Sequence, residues 1–217
     1  MTEVQSRTAI VILTWNDLNL LRNTLETFRA FNGNRHLYIV DNGSDDGTAE
    51  YLTEFPHCTL IRHAHNLGIV RGTFSGWRHA VARGHEFILH VESDFPSIRP
   101  VPFALLEEYL DQNVDVGFVR LNDRRDARRN IATKKPISYQ PWKDIGEGFR
   151  IAKYNYHMAF HPYLFRGSFV EHLSKTHLRT ERGIMNRYEK LKLNGAKLAP
   201  SCFTTLPQRH WQLGWRW

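Results

Sequence analysis

Residues 87–96 read Phe87-Ile88-Leu89-His90-Val91-Glu92-Ser93-Asp94-Phe95-Pro96. The apolar part of this stretch is too short for a helix, and Pro96 prevents a strand from continuing past the two acids. In a largely parallel α/β sheet, ligands gather at the carboxyl ends of the strands, where a divalent metal and a phosphate could share Glu92 and Asp94. Acidic residues also follow strands in ordinary turns, so the rest of the chain has to decide between a turn and a site.

Apolar strands and amphipathic helices alternate in the chain before residue 87. Residues 9–13 form a continuous β-branched run, which is typical of a strand that is buried on both faces. Two more short strands are expected at residues 37–40 and 59–62, with a helix after each of the three strands. Residues that can cap the first two helices stand in the turns, namely Asn16, Asp17, Asp45 and Asp46. The alternation predicts an α/β fold with a mostly parallel central sheet and helices on both faces.

The pattern is less regular after residue 95. We expect a helix from residue 103, strands at 116–121 and 154–160, and helices at 168–175 and 181–193. The chain has no Gly/Ser/Pro-rich linker, and its 217 residues are 41% hydrophobic. We therefore expect a single domain over residues 1–217.

The charge of the chain favours an anionic partner. The formal net charge is +7, which suits a nucleotide, a phospholipid surface or a nucleic acid. The six basic residues at 124–135 form either a solvated loop or an anion contact. Two cysteines, no signal-peptide pattern and no apolar run of membrane length together predict a cytoplasmic protein.

Four polar turns follow the first four predicted strands and should open toward the same edge of the sheet. They are Thr14-Trp15-Asn16, Val40 to Thr48, Asn66-x-Gly68 and Glu92-x-Asp94. In these turns the sequence resembles the GT-A glycosyltransferases of family 2, and the specific match is Val-Asp-Asn-Gly-Ser-Asp-Asp-Gly-Thr from Val40 to Thr48. The resemblance covers residues 9–95, with Glu92 in place of the usual first Asp. It implies the Rossmann-like GT-A fold, with a nucleotide-sugar-binding half at about 8–95 and an acceptor-side half at about 96–217.

The donor site is expected to form around the first three turns. Asp41 either caps the turn or accepts a hydrogen bond from a base N–H, and the resemblance implies that this residue reads uracil or a similar ring, which favours a UDP-sugar. Thr14 and Asn16 would bound the base pocket, and Trp15 either stacks on the base or is simply packed.

Further donor contacts are expected from the third and fourth turns. Asn66 and Gly68 shape their turn, and Gly68 allows a close approach of the backbone at a helix N-terminus. Arg71 either reaches the base or diphosphate or is a solvated residue of the helix surface. Glu92 and Ser93 complete the predicted nucleotide-sugar contacts.

The leaving diphosphate calls for a hard cation, Mn²⁺ or Mg²⁺, held by carboxylates, phosphates and water. Asp94 is the expected direct ligand, with Glu92 on the ribose or on a metal-bound water. The resemblance implies a further ligand near the C-terminus, for which His210 fits by position, although His210 could equally be a packed or surface residue. It also implies a general base at the start of a late helix, and Glu181 is the candidate although Arg182 stands where a second acid is usual.

The resemblance implies a metal-dependent, inverting glycosyltransferase that moves a sugar from a nucleoside-diphosphate sugar to an acceptor hydroxyl, in glycan or polysaccharide synthesis. The acceptor would be a glycan or a lipid-linked sugar. The basic segment and the three tryptophans in the last seven residues could contact a membrane surface, or the tryptophans could close the core. The alternative is a catalytically inactive GT-A-fold protein that binds nucleotide sugars or serves as a scaffold. No nucleic-acid partner is expected, because such a partner would leave the four turns unexplained.

Overall fold

The computed structural model describes residues 6–31, 35–53, 55, 58–122, 135–155, 160–174 and 180–206. The strands are β1 (Thr8–Thr14), β2 (Leu37–Asp41), β3 (Cys58–Arg62), β4 (Phe87–Glu92), β5 (Val116–Arg120), β6 (Lys143–Gly146), β7 (Phe149–Tyr154), β8 (Tyr163–Arg166) and β9 (Asn194–Ala199). The helices are α1 (Leu18–Phe31), α2 (Thr48–Thr53), α3 (Ile69–Ala82), α4 (Phe103–Gln112), α5 (Ser168–Ser174) and α6 (Glu181–Lys190). Within these ranges, no helix combines the length and the apolar character that crossing a bilayer requires.

The strands form one nine-stranded sheet in the order β3-β2-β1-β4-β8-β5-β9-β7-β6. The first four strands are parallel to one another. β8 runs antiparallel between β4 and β5, and β7 runs antiparallel between β9 and β6. All strands other than β7 and β8 therefore point the same way, which confirms the predicted α/β fold with a mostly parallel sheet.

Helices cover both faces of the sheet. On one face α1, α2 and α4 pack over alternating strand residues such as Ile10, Ile12 and Leu89. On the other face α3, α5 and α6 cover residues such as Val11 and Ile88. Because successive side chains of a strand point to opposite faces, a strand covered on both sides is mainly apolar, as in the run Ala9–Leu13 of β1 and Phe87–Leu89 of β4.

The close packing of α3 on the sheet depends on glycine. A Cβ atom on Gly76 would lie 2.5 Å from Cγ1 of Val11 and 2.7 Å from Cγ2 of Val40. The helix therefore approaches β1 and β2 more closely than any other residue would allow at this position.

The last third of the sheet differs from the sequence-based expectation. The strand expected at 154–160 overlaps β7 only at Tyr154, where β7 ends, and residues 156–159 of that prediction lie outside the described residues. Strands β6, β8 and β9 were not expected from the sequence, since they are four to six residues long and two of them contain glycine. Short runs of this kind carry too few residues for a period of two to be recognised.

Candidate functional site

The parallel register brings the first three turns together at one edge of the sheet. Thr14 is the cross-strand neighbour of Asp41, and Asp41 is the neighbour of Arg62. A cavity of about 680 Å³ opens at this edge. Its lining residues are Trp15, Asn16, Gly43, Ser44, Asp45, Arg62, His63, Ala64, His65 and Asn66.

Asp41 is completely buried beside the residues that line this cavity. Its Oδ1 accepts a hydrogen bond of 2.9 Å from the backbone N–H of Ser44. Its Oδ2 lies 3.5 Å from Nε of Arg62 but accepts no hydrogen bond from the described residues. A buried carboxylate oxygen without a donor is costly unless a ligand or water completes it, so Oδ2 is an acceptor that suits an incoming N–H group.

The first two turns are joined by hydrogen bonds around Asn16. The backbone N–H of Asn16 donates to Oγ of Ser44 at 3.0 Å, and Oδ1 of Asn16 accepts from the backbone N–H of Asp45 at 2.9 Å. Asn16 has a positive φ of 50°, a conformation that Asn tolerates better than most residues. Thr14 is buried, and its Oγ1 has no hydrogen-bond partner among the described residues. Trp15 is partly exposed at the cavity wall, where it can contact a ligand.

The third turn is organised by two asparagines. Nδ2 of Asn42 donates to Oδ1 of Asn66 at 2.8 Å, and the same oxygen accepts from the backbone N–H of Gly68 at 2.7 Å. Gly68 has a φ of 80° and precedes α3, with no atom within 4 Å of the position a Cβ would take. The turn-shaping role expected for Asn66 and Gly68 is therefore seen in the structure. Arg71 lies exposed in the first turn of α3 and is not among the residues that line the cavity.

Histidines that the sequence analysis did not single out also line the cavity. His63 follows β3, and its Nε2 lies 2.9 Å from Oγ of Ser75. Burial lowers the pKa of His63 below its usual value, with the nearby Asp41 carboxylate opposing this effect and His65 adding to it. The imidazole of His63 is therefore mainly neutral at pH 7 and can accept or donate a hydrogen bond. The sequence analysis missed His63, because a histidine that follows a strand has no local sequence pattern that marks it as a site residue.

The acidic pair lies at the carboxyl end of β4, one strand away from the cavity wall. Glu92 is the cross-strand neighbour of Leu13, and Asp94 is buried in the following turn. Between them, Oγ of Ser93 donates to Oδ2 of Asp17 at 3.1 Å, and the backbone N–H of Ser93 donates to the carbonyl of Leu13. Ser93 thus ties the acidic turn to the end of β1, and Asp17 is a supporting carboxylate that the sequence analysis treated only as a helix cap.

Glu92 and Asp94 are the carboxylates at this edge that could hold a cation. No group of three His, Cys, Asp or Glu side chains in the described part of the chain is arranged to hold a metal ion. Mg²⁺ is commonly held by one or two carboxylates together with substrate phosphates and waters, and Glu92 and Asp94 fit this donor set. His210, the expected additional ligand, lies outside the described residues.

Glu181 begins α6 and is connected to the carboxyl end of β4 through Phe160. Oε1 of Glu181 accepts a hydrogen bond of 2.8 Å from the backbone N–H of Phe160. The ring of Phe160 packs against the ring of His90 at 5.6 Å, two residues before Glu92. Burial lowers the pKa of His90 to about 3, so its ring is neutral. The ring packs against those of Trp77 and Phe160. The antiparallel β8 therefore brings the start of α6 to the edge that carries the acidic pair.

Comparison with known proteins identifies a family and solved structures that are similar to this chain. The model of the family described as "Glycosyl transferase family 2" matches residues 9–172. A search of curated proteins finds no match. The structure of S. aureus TarS 1–349 in complex with UDP-GlcNAc is similar, with a TM-score of 0.66 and 11% identity over 97% of this chain and 62% of that chain. TarS 1–349 in complex with UDP gives a TM-score of 0.62 at 11% identity, over 92% of this chain and 60% of that chain.

A further structure of S. aureus TarS has a TM-score of 0.61 at 11% identity. The match covers 93% of this chain and 37% of that chain. At these identities the likeness concerns the fold, which is the GT-A fold. The family match extends over three quarters of the chain and includes the turns that form the cavity and the acidic pair. The chain therefore belongs to glycosyl transferase family 2.

Proposed function

We propose that this protein transfers a sugar from a nucleoside-diphosphate sugar to an acceptor hydroxyl. The observation that carries the proposal is the buried Asp41, whose Oδ2 accepts no hydrogen bond from the described residues and lies beside a cavity at the sheet edge. The imide N–H of a uracil ring would supply the missing donor. Because the solved TarS structures contain UDP-GlcNAc and UDP, UDP-sugars are the first donors to test.

In this proposal the donor lies along the edge from the cavity to the acidic pair. Thr14, Trp15 and Asn16 bound the base, the turn of Asn66 and Gly68 supports it, and Arg71 reaches toward the diphosphate. Asp94 would hold Mn²⁺ or Mg²⁺, with Glu92 on the ribose or a metal-bound water and His210 as a further ligand. The cation would act as a Lewis acid that offsets the charge of the departing nucleoside diphosphate.

The transfer would be a single displacement that inverts the anomeric centre. Glu181 takes the proton of the acceptor hydroxyl as that oxygen bonds to the anomeric carbon, and the bond from this carbon to the diphosphate oxygen breaks. In the structure, Oε1 of Glu181 accepts a hydrogen bond from the backbone N–H of Phe160.

That engagement also favours a second candidate function. In a nucleotide-sugar-binding protein without turnover, Glu181 would serve to hold Phe160. Such a protein would not need a second acid after Glu181, where this chain has Arg182. Hydrolysis of the donor that requires a metal and is lost in Asp94→Ala would argue for the enzyme, and its absence with intact binding would argue for the second candidate.

The wider setting of the reaction follows from the proposed chemistry. The continuous sheet supports a single domain over residues 1–217, with the donor half at 8–95 and the acceptor half at 96–217. We propose a glycan or lipid-linked acceptor and a role in polysaccharide synthesis, in the cytoplasm or at a membrane surface. The basic segment at 124–135 and the Trp-rich tail, which lie mainly or wholly outside the described residues, are the proposed membrane contacts.

The proposal is tested by thermal unfolding with UDP-, GDP- and dTDP-sugars, each with and without Mn²⁺. A ligand that binds only the folded state raises the melting temperature, by an amount that corresponds to about 2.7 kcal/mol at 100 times Kd. We expect a rise with UDP-sugars that is larger with Mn²⁺. If none of these nucleotides changes the melting temperature, the donor site is not where we place it.

A further inference from the structure

Three aromatic rings are stacked on one another at the end of the sheet opposite β3. Tyr139 is bridged to Tyr154 across the strands, and their rings are stacked at 5.0 Å with an angle of 3° between planes. The ring of Trp142 is stacked on Tyr139 at 6.0 Å and 17°. We name Tyr139, Trp142 and Tyr154 the aromatic ladder.

The ladder runs from the core to the surface. Tyr154 is buried, whereas Tyr139 is 38% exposed and Trp142 is 41% exposed. Tyr139 and Trp142 are thus both exposed, and their rings contact each other. Stacking on the buried ring of Tyr154 fixes the plane of Tyr139, and stacking on Tyr139 in turn orients Trp142, whose partly exposed ring is the outer surface of the stack.

A cation borders this surface. Nζ of Lys197, on β9, lies 6.0 Å from the ring centre of Tyr139. The segment at 138–144 is exposed throughout and is mainly polar around the two rings. An interface with another protein needs a wide apolar core, and this small flat patch within polar surroundings does not supply one.

We infer that the aromatic ladder binds a glycan chain that carries an acidic group. One face of a pyranose ring presents C–H groups that pack flat on an aromatic ring, while its hydroxyls stay hydrated. Lys197 would pair with a carboxylate or phosphate on the same chain. The inference rests on the proposed function, since it identifies the distal part of the acceptor.

The position of the ladder determines which part of an acceptor it holds. Tyr139 lies five strand positions from β4 in the sheet order, which is roughly 24 Å at about 4.8 Å per strand. This distance is too large for the sugar that receives the transferred group. The ladder therefore binds sugar residues further along an extended acceptor and selects for long glycans.

The test is binding of the full chain to an array of neutral and acidic oligosaccharides of increasing length, without nucleotide. We expect binding that grows with length, weakens about tenfold in Trp142→Ala and in Tyr139→Ala, and loses its preference for acidic chains in Lys197→Gln. Phe31→Ala is the matched control, because Phe31 is also 38% exposed but lies on α1, and it should bind like the unchanged chain.

Other outcomes would contradict the inference. No binding on the array, or binding that Trp142→Ala leaves unchanged, would overturn the inference. A Trp142→Ala variant that alters the association state in light scattering but not glycan binding would show a protein interface instead, and would also overturn it. Nucleotide binding is measured separately by thermal unfolding, so a failure of the donor proposal is distinguishable from a failure here.

Discussion

Asp41 holds the turn after β2 with one carboxylate oxygen, while the other accepts no hydrogen bond from the described residues and lies 3.5 Å from Nε of Arg62. Asp41→Asn keeps an acceptor for Ser44 but replaces the charged acceptor of the base. Hydrogen bonds to charged groups contribute about 1.5–3 kcal/mol, so the Kd for UDP should rise about 10- to 100-fold. Isothermal titration measures this change, with Asp144→Asn on the exposed strand β6 as the control. An unchanged Kd in Asp41→Asn would exclude Asp41 from base recognition.

Glu181 accepts from the N–H of Phe160 and is also the base that we propose, and a single substitution can separate the two. Glu181→Gln retains an oxygen that can accept from the N–H of Phe160 but cannot take a proton. If Glu181 is the base, kcat for sugar transfer should fall by about 10²–10⁴ while the Kd of the donor stays the same. If the side chain serves only to hold Phe160, Glu181→Gln should transfer sugar at the normal rate.

Asp46 accepts hydrogen bonds at the starts of two helices, α1 and α2. Oδ2 accepts from the backbone N–H of Leu18 at the start of α1, and Oδ1 accepts from the hydroxyl and backbone N–H of Thr48 at the start of α2. Asp46→Ala should therefore lower the free energy of unfolding by about 1–2 kcal/mol, and by more if the two helix ends are coupled. Urea unfolding measures this change.

The same residue should make stability depend on pH at acid values. Burial opposes ionisation of Asp46, but the hydrogen bonds from Thr48 and from the N–H of Leu18 outweigh it and lower the pKa. Since the pKa is lower in the folded state, the carboxylate stabilises the protein above the pKa of the unfolded state, and this stabilisation is lost as the pH falls through the folded value. Asp46→Asn should be less sensitive to acid between these two values in urea titrations. Equal acid sensitivity of both proteins would contradict this assignment.

Gly76 shows how closely α3 packs against β1 and β2. Gly76→Ala gains about 1 kcal/mol in helix propensity, but the new methyl group would overlap Val11 and Val40. Overpacking in a core costs about 1–3 kcal/mol, so we expect net destabilisation in urea unfolding. Arg78→Ala, exposed on the same helix, should change stability by less than about 0.5 kcal/mol. A Gly76→Ala variant that is more stable than the parent would mean that the helix can move away.

At the scale of the whole molecule, metal should matter for ligand binding and not for folding. In our proposal the cation is held by Asp94 and Glu92 together with the diphosphate of the donor. EDTA should therefore leave the melting temperature of the nucleotide-free protein unchanged and remove the additional rise that Mn²⁺ gives with a UDP-sugar. A drop in the melting temperature of the nucleotide-free protein would indicate a structural metal instead.

The sequence alone determined the donor half of the molecule. Strands β1, β2 and β4 were predictable because a buried strand is mainly apolar, and the turns were predictable because positive φ favours Gly and Asn, as at Asn16, Gly43 and Gly68. The direction of these strands then followed from the alternation of strands and helices, and this direction places Asp41 and Glu92 at one edge.

Only the tertiary structure decided the other half. The insertion of β8 between β4 and β5, which accompanies the contacts of Phe160 with His90 and with Glu181, leaves no local pattern in the sequence. The aromatic ladder likewise joins Tyr139 to Tyr154 across neighbouring strands. Local periodicity reflects which side of an element is buried, whereas the order of strands in a sheet results from long-range packing of the whole chain. For this reason the sequence predicted the individual turns of the donor site, and the structure was needed to place α6 and the ladder relative to them.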